Sequence, residues 1–194
     1  MKILLQLAQA IDTLNERIGR SIYWLILIMV IISTVNALFR KLFNMSSNAF
    51  LEIQWYLFAA VFLLGSGYTL LRNEHVRIDV LSSKLSPKAQ IWIDILGTLI
   101  FLFPFTLLIL YDGWRYFVLS FIGQEWSLNP GGLLVWPAKL LIPVGFLLLF
   151  LQGLAQLIKL IGALQGHGDR SALLKHYTPE EDTVETGLGK PENK

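Results

Sequence analysis

Four long stretches of this chain contain no charged residue, and they constrain its fold more than any other feature. Three have 19 residues and one has 17; the charged residues that bound them are Arg20 and Arg40, Glu52 and Arg72, Asp94 and Asp112, and Lys139 and Lys159. At about 1.5 Å of rise per residue, 19 helical residues reach roughly 28 Å, close to the ~30 Å hydrocarbon core of a bilayer. Because lipid offers backbone amides no hydrogen-bond partner, each stretch is predicted to form a transmembrane helix.

The sequence therefore predicts an all-α integral membrane protein with four transmembrane helices. We expect these helices at about 21–43, 51–72, 89–112 and 133–160, within a membrane domain of residues 21–163. Residues 164–194 are rich in Gly, Lys and Glu and have few large apolar side chains, so they are predicted to form a disordered cytoplasmic tail.

Residues 1–20 have the pattern of an amphipathic helix. Apolar residues recur at spacings of 3, 4, 3 and 4, whereas Asp12, Glu16 and Arg17 face elsewhere; the apolar positions are Leu4, Leu7, Ile11, Leu14 and Ile18. This pattern predicts either a helix lying along the cytoplasmic membrane surface or a helix packed on another subunit, since both have the same signature. A signal peptide is disfavoured because the following apolar run is long enough to span the membrane.

Lys and Arg are distributed unequally between the two sides of the predicted bundle. The N-terminal segment, the loop after the second helix and the C-terminal segment together carry 12 of them, whereas the other side carries four. Because cytoplasmic segments are enriched in Lys and Arg, both termini are predicted to lie in the cytoplasm.

The composition argues against several functional classes. The chain is 54% hydrophobic and 15% charged, whereas soluble domains are about 45–50% apolar and about 25% charged. The net charge of +2 offers no basic face for a nucleic acid, and the absence of cysteine excludes disulfides, zinc–thiolate sites and iron–sulfur clusters.

The middle of every predicted span lacks Asp, Glu, Lys, Arg and His. A haem-binding membrane anchor would need axial ligands there, and a proton-coupled exporter would need a buried carboxylate. We therefore predict no catalytic residue, no metal site and no cofactor, and we expect that the chain is not an enzyme. We therefore expect the chain to function through the surfaces of its helices.

The second helix carries a face of small or polar residues. Glu52, Ala59, Ser66 and Asn73 repeat every seven residues, and Gly65 with the neighbouring Gly67 allows close approach of another helix. This face contacts either a larger membrane partner or other helices of this chain. Glu52 is expected to meet a cation at the outer interface, for which Arg40 and Lys41 are candidates, or to be solvated or bound to lipid headgroups.

Several segments resemble the small membrane subunit of tripartite ATP-independent periplasmic (TRAP) transporters. The resemblance covers about residues 18–162 and is similar to the branch named for mannitol or chloroaromatic compounds. It is carried by an acidic residue that opens the second helix, a glycine near its middle and a His-x-Arg-x-Asp stretch after it; the segments are 50–58, 62–65, 73–80 and 136–145.

The resemblance implies a division of labour among three proteins. A large membrane subunit would carry the substrate and sodium sites, and a soluble periplasmic binding protein would deliver the substrate, commonly a carboxylate. The small subunit would act as a scaffold in the bacterial inner membrane, surrounded by lipid and paired with the large subunit. Its helix interiors, empty of charge, agree with this role.

The resemblance also implies two sets of functional residues. Interface or structural roles fall to Glu52, Gly65, His75, Arg77 and Asp79; residues on the periplasmic side, where the binding protein would dock, are Arg40, Lys41, Arg115, Trp126 and Lys139. Two other functions stay open from the residues alone: a membrane anchor of a redox enzyme, and a self-sufficient channel, exporter or other small transporter.

Overall fold

The computed structural model describes residues 1–44, 47–72 and 87–165. Within these ranges four helices are long and apolar enough to cross a membrane, which confirms the predicted all-α membrane fold. The helices are α1 (Lys2–Phe43), α2 (Asn48–Leu71), α3 (Pro87–Gly97, a π-helical segment Thr98–Leu102, and Phe103–Ile122) and α4 (Trp136–Leu164). The predicted tail lies almost entirely outside the described residues.

Helix α1 is one continuous helix of 42 residues, about 63 Å long at 1.5 Å per residue. It has no break at residue 20, where we expected a surface helix to give way to a membrane span. Nothing in this region interrupts helical hydrogen bonding, because α1 contains no proline. The helix ends at Phe43, and the next residue, Asn44, has a φ of 52°, the left-handed conformation that often closes a helix.

The N-terminal half of α1 packs against α4 of the same chain. Ala8 and Ile11 form a buried apolar cluster with Ala155. By contrast, Leu4 and Leu14 of the predicted apolar stripe are exposed. The buried face therefore shares Ile11 with the predicted apolar stripe but is otherwise shifted toward Ala8, because small residues allow the closer approach of two helices.

Helix α3 runs to Ile122, about ten residues beyond the expected end near residue 112. Asp112 lies on its exposed surface, so this charge does not end the helix. The π-helical segment ends two residues before Pro104, which has no N–H to donate to the carbonyl of Ile100. The local change from α- to π-helical hydrogen bonding accommodates this missing donor.

Helix α4 is the centre of the bundle and contacts each of the other three helices. Helices α1 and α2 also pack together, whereas α3 packs mainly on α4. Gly145 lets α4 approach α2 closely: a Cβ at this position would lie 2.7 Å from the carbonyl oxygen of Leu63. The first residues expected in α4 instead belong to the loop before it, so this helix begins at Trp136.

Candidate functional site

Glu52 lies in the first turns of α2 and is 4% exposed. Its carboxylate accepts hydrogen bonds from the Ser127 hydroxyl, from the Asn129 amide at 2.9 Å and from the backbone N–H of Leu133 at 2.7 Å. The nearby N-terminus of α2 favours the negative charge as well. Three donors and a helix dipole compensate for the loss of water around this carboxylate.

The partners of Glu52 differ from the cation that we expected. Within the described residues, all of the hydrogen bonds to its carboxylate come from neutral groups, and no ion pair joins it to Arg40 or Lys41. Both basic side chains are exposed at the end of α1. The expectation of a cationic partner among these two residues is therefore wrong for this conformation, because neutral donors already occupy both carboxylate oxygens.

Residues 123–135 form the loop between α3 and α4, which we call the α3–α4 loop. It folds back on itself through a turn in which the N–H of Gly132 donates to the carbonyl of Asn129 at 3.0 Å, with Gly131 at a φ of 71°. A Cβ on Gly132 would lie 2.7 Å from Glu52 Oε1, so only glycine fits there without displacement. Further bonds fasten the loop: Trp126 to Leu134 in an antiparallel bridge, Asn48 to Pro130 and Tyr56 to Leu134.

Lys139 lies in the first turn of α4 and is buried, at 8% exposure. Its ammonium donates a hydrogen bond to Glu125 and lies 3.9 Å from the centre of the Tyr116 ring. The carboxylate and the ring face together compensate for the loss of water around this cation. We expected Lys139 on a docking surface, but its charge is already bound within the chain.

The Lys139–Glu125 pair makes stability depend on pH. The hydrogen bond from Lys139 lowers the pKa of Glu125 below its usual value of 4.5. A lowered pKa means that the contact stabilises the fold fully above pH 4.5 and is lost as the pH falls below that value. We expect the thermal midpoint in detergent to drop more in the wild type than in Glu125→Gln between pH 6 and pH 4. An equal drop in both proteins would contradict this assignment.

The remaining expected docking residues fall at two heights. Arg40 and Lys41 end α1, and Trp126, 64% exposed, lies in the α3–α4 loop, so all three belong to the same end of the bundle as Glu52. We call this end the loop end. Arg115 is instead part of α3, two turns before its end, with its guanidinium 5.8 Å from the centre of the Tyr111 ring.

Of the other four expected interface residues, the structure describes only Gly65. Gly65 faces Ile22 of α1, and a Cβ there would lie 3.3 Å from the Ile22 side chain. His75, Arg77 and Asp79 lie outside the described residues.

A polar network at the opposite end of the bundle, which we call the terminal end, was missed from the sequence. Asn15 and Gln152 are fully buried; Asn15 donates to Gln152 at 2.8 Å, and Gln152 donates to Asp12 at 2.9 Å. Lys159 closes the network with a 3.0 Å ion pair to Asp12. One signal is present in the sequence: Gln152 and Lys159 are seven residues apart and therefore share one face of α4, but nothing in the sequence identifies α1 as the partner of that face.

Comparison with known families identifies the family of this chain. The family described as "Tripartite ATP-independent periplasmic transporters, DctQ component" matches residues 29–163, which is more than half of the chain. The chain belongs to this family. A search of curated proteins and a search of solved structures each found no match.

Membership in the DctQ family makes this chain the small membrane subunit of a TRAP transporter. Such subunits work in tripartite complexes with a large membrane subunit and a binding protein. The chain is thus a multi-pass membrane component of a transporter, as the resemblance implied. The DctQ match includes Glu52, the α3–α4 loop and Lys139, but it begins after the N-terminal half of α1.

Proposed function

We propose that this DctQ protein is a scaffold for the large subunit of a sodium-driven TRAP transporter that takes up an organic acid. Its four spans carry no charged side chain in their middles, so the chain offers no ion or substrate site within the hydrocarbon region. Its helices instead hold one another through close glycine contacts and the polar network. This absence of charge is the observation that carries the proposal.

The remaining details of the assignment rest on sequence. The excess of Lys and Arg on one side supports an inner-membrane orientation with both termini in the cytoplasm. The resemblance to the TRAP family, whose substrates are commonly carboxylates, supports a substrate such as a 2-oxo or hydroxy acid; the resemblance to the branch named for mannitol or chloroaromatic compounds adds nothing to this choice. We infer that the chain itself catalyses no reaction and binds no cofactor.

The test of the scaffold role is purification from the native membrane followed by reconstitution. We expect a large polytopic membrane protein to co-purify with this chain at one-to-one stoichiometry. Uptake of a carboxylate should then require both membrane proteins, the binding protein and a sodium gradient. Intrinsic transport by this chain alone in proteoliposomes would overturn the proposal.

We further propose that Arg40 and Lys41 form part of the surface on which the binding protein docks. Both are exposed at the loop end, the same end of the bundle as the exposed Trp126. Charges at the rim of an interface mainly change the association rate and its dependence on salt. Reversal of either charge to Glu should therefore lower uptake several-fold at low binding-protein concentration, with assembly of the two membrane subunits intact.

Arg17→Glu is the matched control, because Arg17 is an exposed cation on the same helix but near the terminal end. We expect this variant to transport normally across the same range of binding-protein concentrations. Unchanged uptake by Arg40→Glu and Lys41→Glu at the lowest concentration would count against the docking role.

A further inference from the structure

Contacts between helices fix which residues stand at the same height along the bundle. Near the terminal end, Asn15 of α1 bonds to Gln152 of α4 at 2.8 Å. The adjacent Gly153 packs against Leu102 of α3, where a Cβ on the glycine would lie 2.6 Å from the leucine side chain. Residue 15 of α1 and residue 102 of α3 therefore share one height, which we call the terminal level.

A second set of contacts fixes a height near the loop end, which we call the loop level. The contacts are Ser33 to Gln54 at 2.8 Å, Tyr56 to Leu134 at 3.1 Å, and the Trp136 ring to the Phe117 and Phe121 rings at 6.4 and 5.2 Å between centroids. They place α1 near residue 32 at the height of α3 near residue 119. Both levels give the same register between these two helices.

In this register the uncharged stretches of α1 and α3 lie at different heights along the bundle. At the terminal level, α1 is at Asn15, outside its uncharged stretch of 21–39, whereas α3 is at Leu102, in the middle of its own stretch of 95–111. At the loop level the situation is reversed, because α1 is in the middle of its stretch and α3 has passed Asp112. The two stretches are offset by about 14 residues, or roughly 20 Å at 1.5 Å per residue.

A bilayer perpendicular to the bundle axis would leave charged groups in hydrocarbon. Asp112 is exposed on α3 at the height of the middle of α2's uncharged stretch, and Arg20 is exposed on α1 at the height of the uncharged stretch of α3. Charged side chains at such positions are costly. The uncharged stretches of α2 and α4 lie between those of α1 and α3, so the apolar belt shifts steadily across the bundle.

We propose that the bilayer crosses this bundle obliquely, with acyl chains covering 21–39 of α1 and 95–111 of α3. Helices packed on either side of α4 stand at most ~20 Å apart, since neighbouring axes are about 8–10 Å apart. An offset of about 20 Å across such a separation requires a tilt of at least about 45°, which is slightly beyond the range of about 0–40° found for transmembrane helices. The bundle therefore stands strongly tilted in the membrane.

Single cysteines test this arrangement, because the natural chain contains none. The terminal level is tested with Leu14→Cys on α1 and Phe101→Cys on α3, and the loop level with Ile31→Cys on α1 and Leu119→Cys on α3. All four side chains are exposed, so packing does not limit their reaction. The full chain is produced without the other transporter components and treated in its membrane with N-ethylmaleimide, which reacts with thiols in contact with water.

If the apolar belt is oblique, the more reactive cysteine should be on α1 at the terminal level and on α3 at the loop level. The cysteines at positions 14 and 119 should react several-fold faster than those at 101 and 31. Leu128→Cys, in the exposed loop, is the control for full reaction, and Phe62→Cys, in the middle of α2's uncharged stretch, is the control for protection. Equal reactivity of the two positions at either level would indicate a belt perpendicular to the bundle and overturn the proposal. Each level is an independent test if one variant fails to fold.

Discussion

Replacement of Gly145 by alanine is expected to destabilise the bundle by about 1–3 kcal/mol, the usual cost of forcing a methyl group into a packed interior. The new Cβ would lie 2.7 Å from the carbonyl oxygen of Leu63 and 2.8 Å from its Cβ. These atoms belong to the backbone and the root of the side chain, so a rotamer change cannot relieve the contact. Helices α2 and α4 would have to separate.

Gly97→Ala is the matched control for this variant. Gly97 is also helical, but a Cβ there meets nothing within 4 Å. Alanine at such a position should leave stability unchanged or raise it by about 0.5–1 kcal/mol, because glycine loses more backbone entropy on folding. Thermal unfolding of both variants in the same detergent measures the difference. Equal midpoints for Gly145→Ala and the wild type would show that the α2–α4 contact is loose.

The number and type of the helices could be predicted because hydrocarbon leaves the backbone few alternatives. Charge-free stretches of a suitable length must hydrogen-bond internally, so they form helices wherever they cross the bilayer. The same reasoning does not locate helix ends outside the hydrocarbon. Charged and polar side chains continue a helix in water, as at Asp112 of α3 and across residue 20 of α1.

The sequence could not predict which helices contact each other, because it does not show which helix lies against a given face. The sequence offered Gly65 and Gly67 as equivalent points of close approach on α2. In the structure a Cβ on Gly65 would lie 3.3 Å from the end of the Ile22 side chain, whereas a Cβ on Gly67 would lie 2.3 Å from the side-chain oxygen of the buried Asn15. The centre of the bundle is the last helix of the chain, and neither charge nor hydrophobicity marks α4 as the helix that contacts all the others.

The site at Glu52 could be predicted only in part, for a related reason. An acidic residue that opens an apolar helix is visible in the sequence, and it was singled out. Its partners lie 75 to 81 positions later in the chain, in a loop whose stretch Asn129-Pro130-Gly131-Gly132 indicates a turn but no partner. A long-range pairing of neutral donors with a carboxylate leaves no local pattern.

Truncation of Glu52 to alanine is expected to release the α3–α4 loop. The hydroxyl of Ser127, the amide of Asn129 and the N–H of Leu133 would all lose their shared acceptor at once. Donors in a partly buried site that lose their acceptor are costly, so the loop should open toward water. Chymotrypsin, which cleaves after aromatic residues and leucine, should then cut the loop at Trp126 and Leu128 several-fold faster than in the wild type.

Glu52→Gln separates the hydrogen bonds from the charge. A glutamine side chain can turn its carbonyl oxygen to the N–H of Leu133 and donate its amide hydrogens to the Ser127 hydroxyl and to the side-chain oxygen of a flipped Asn129. Because the partners of Glu52 are neutral, this variant should resist cleavage nearly as well as the wild type. If Glu52→Gln instead opens the loop as fully as Glu52→Ala, the negative charge itself holds the loop, which would require a cation that the described contacts do not contain.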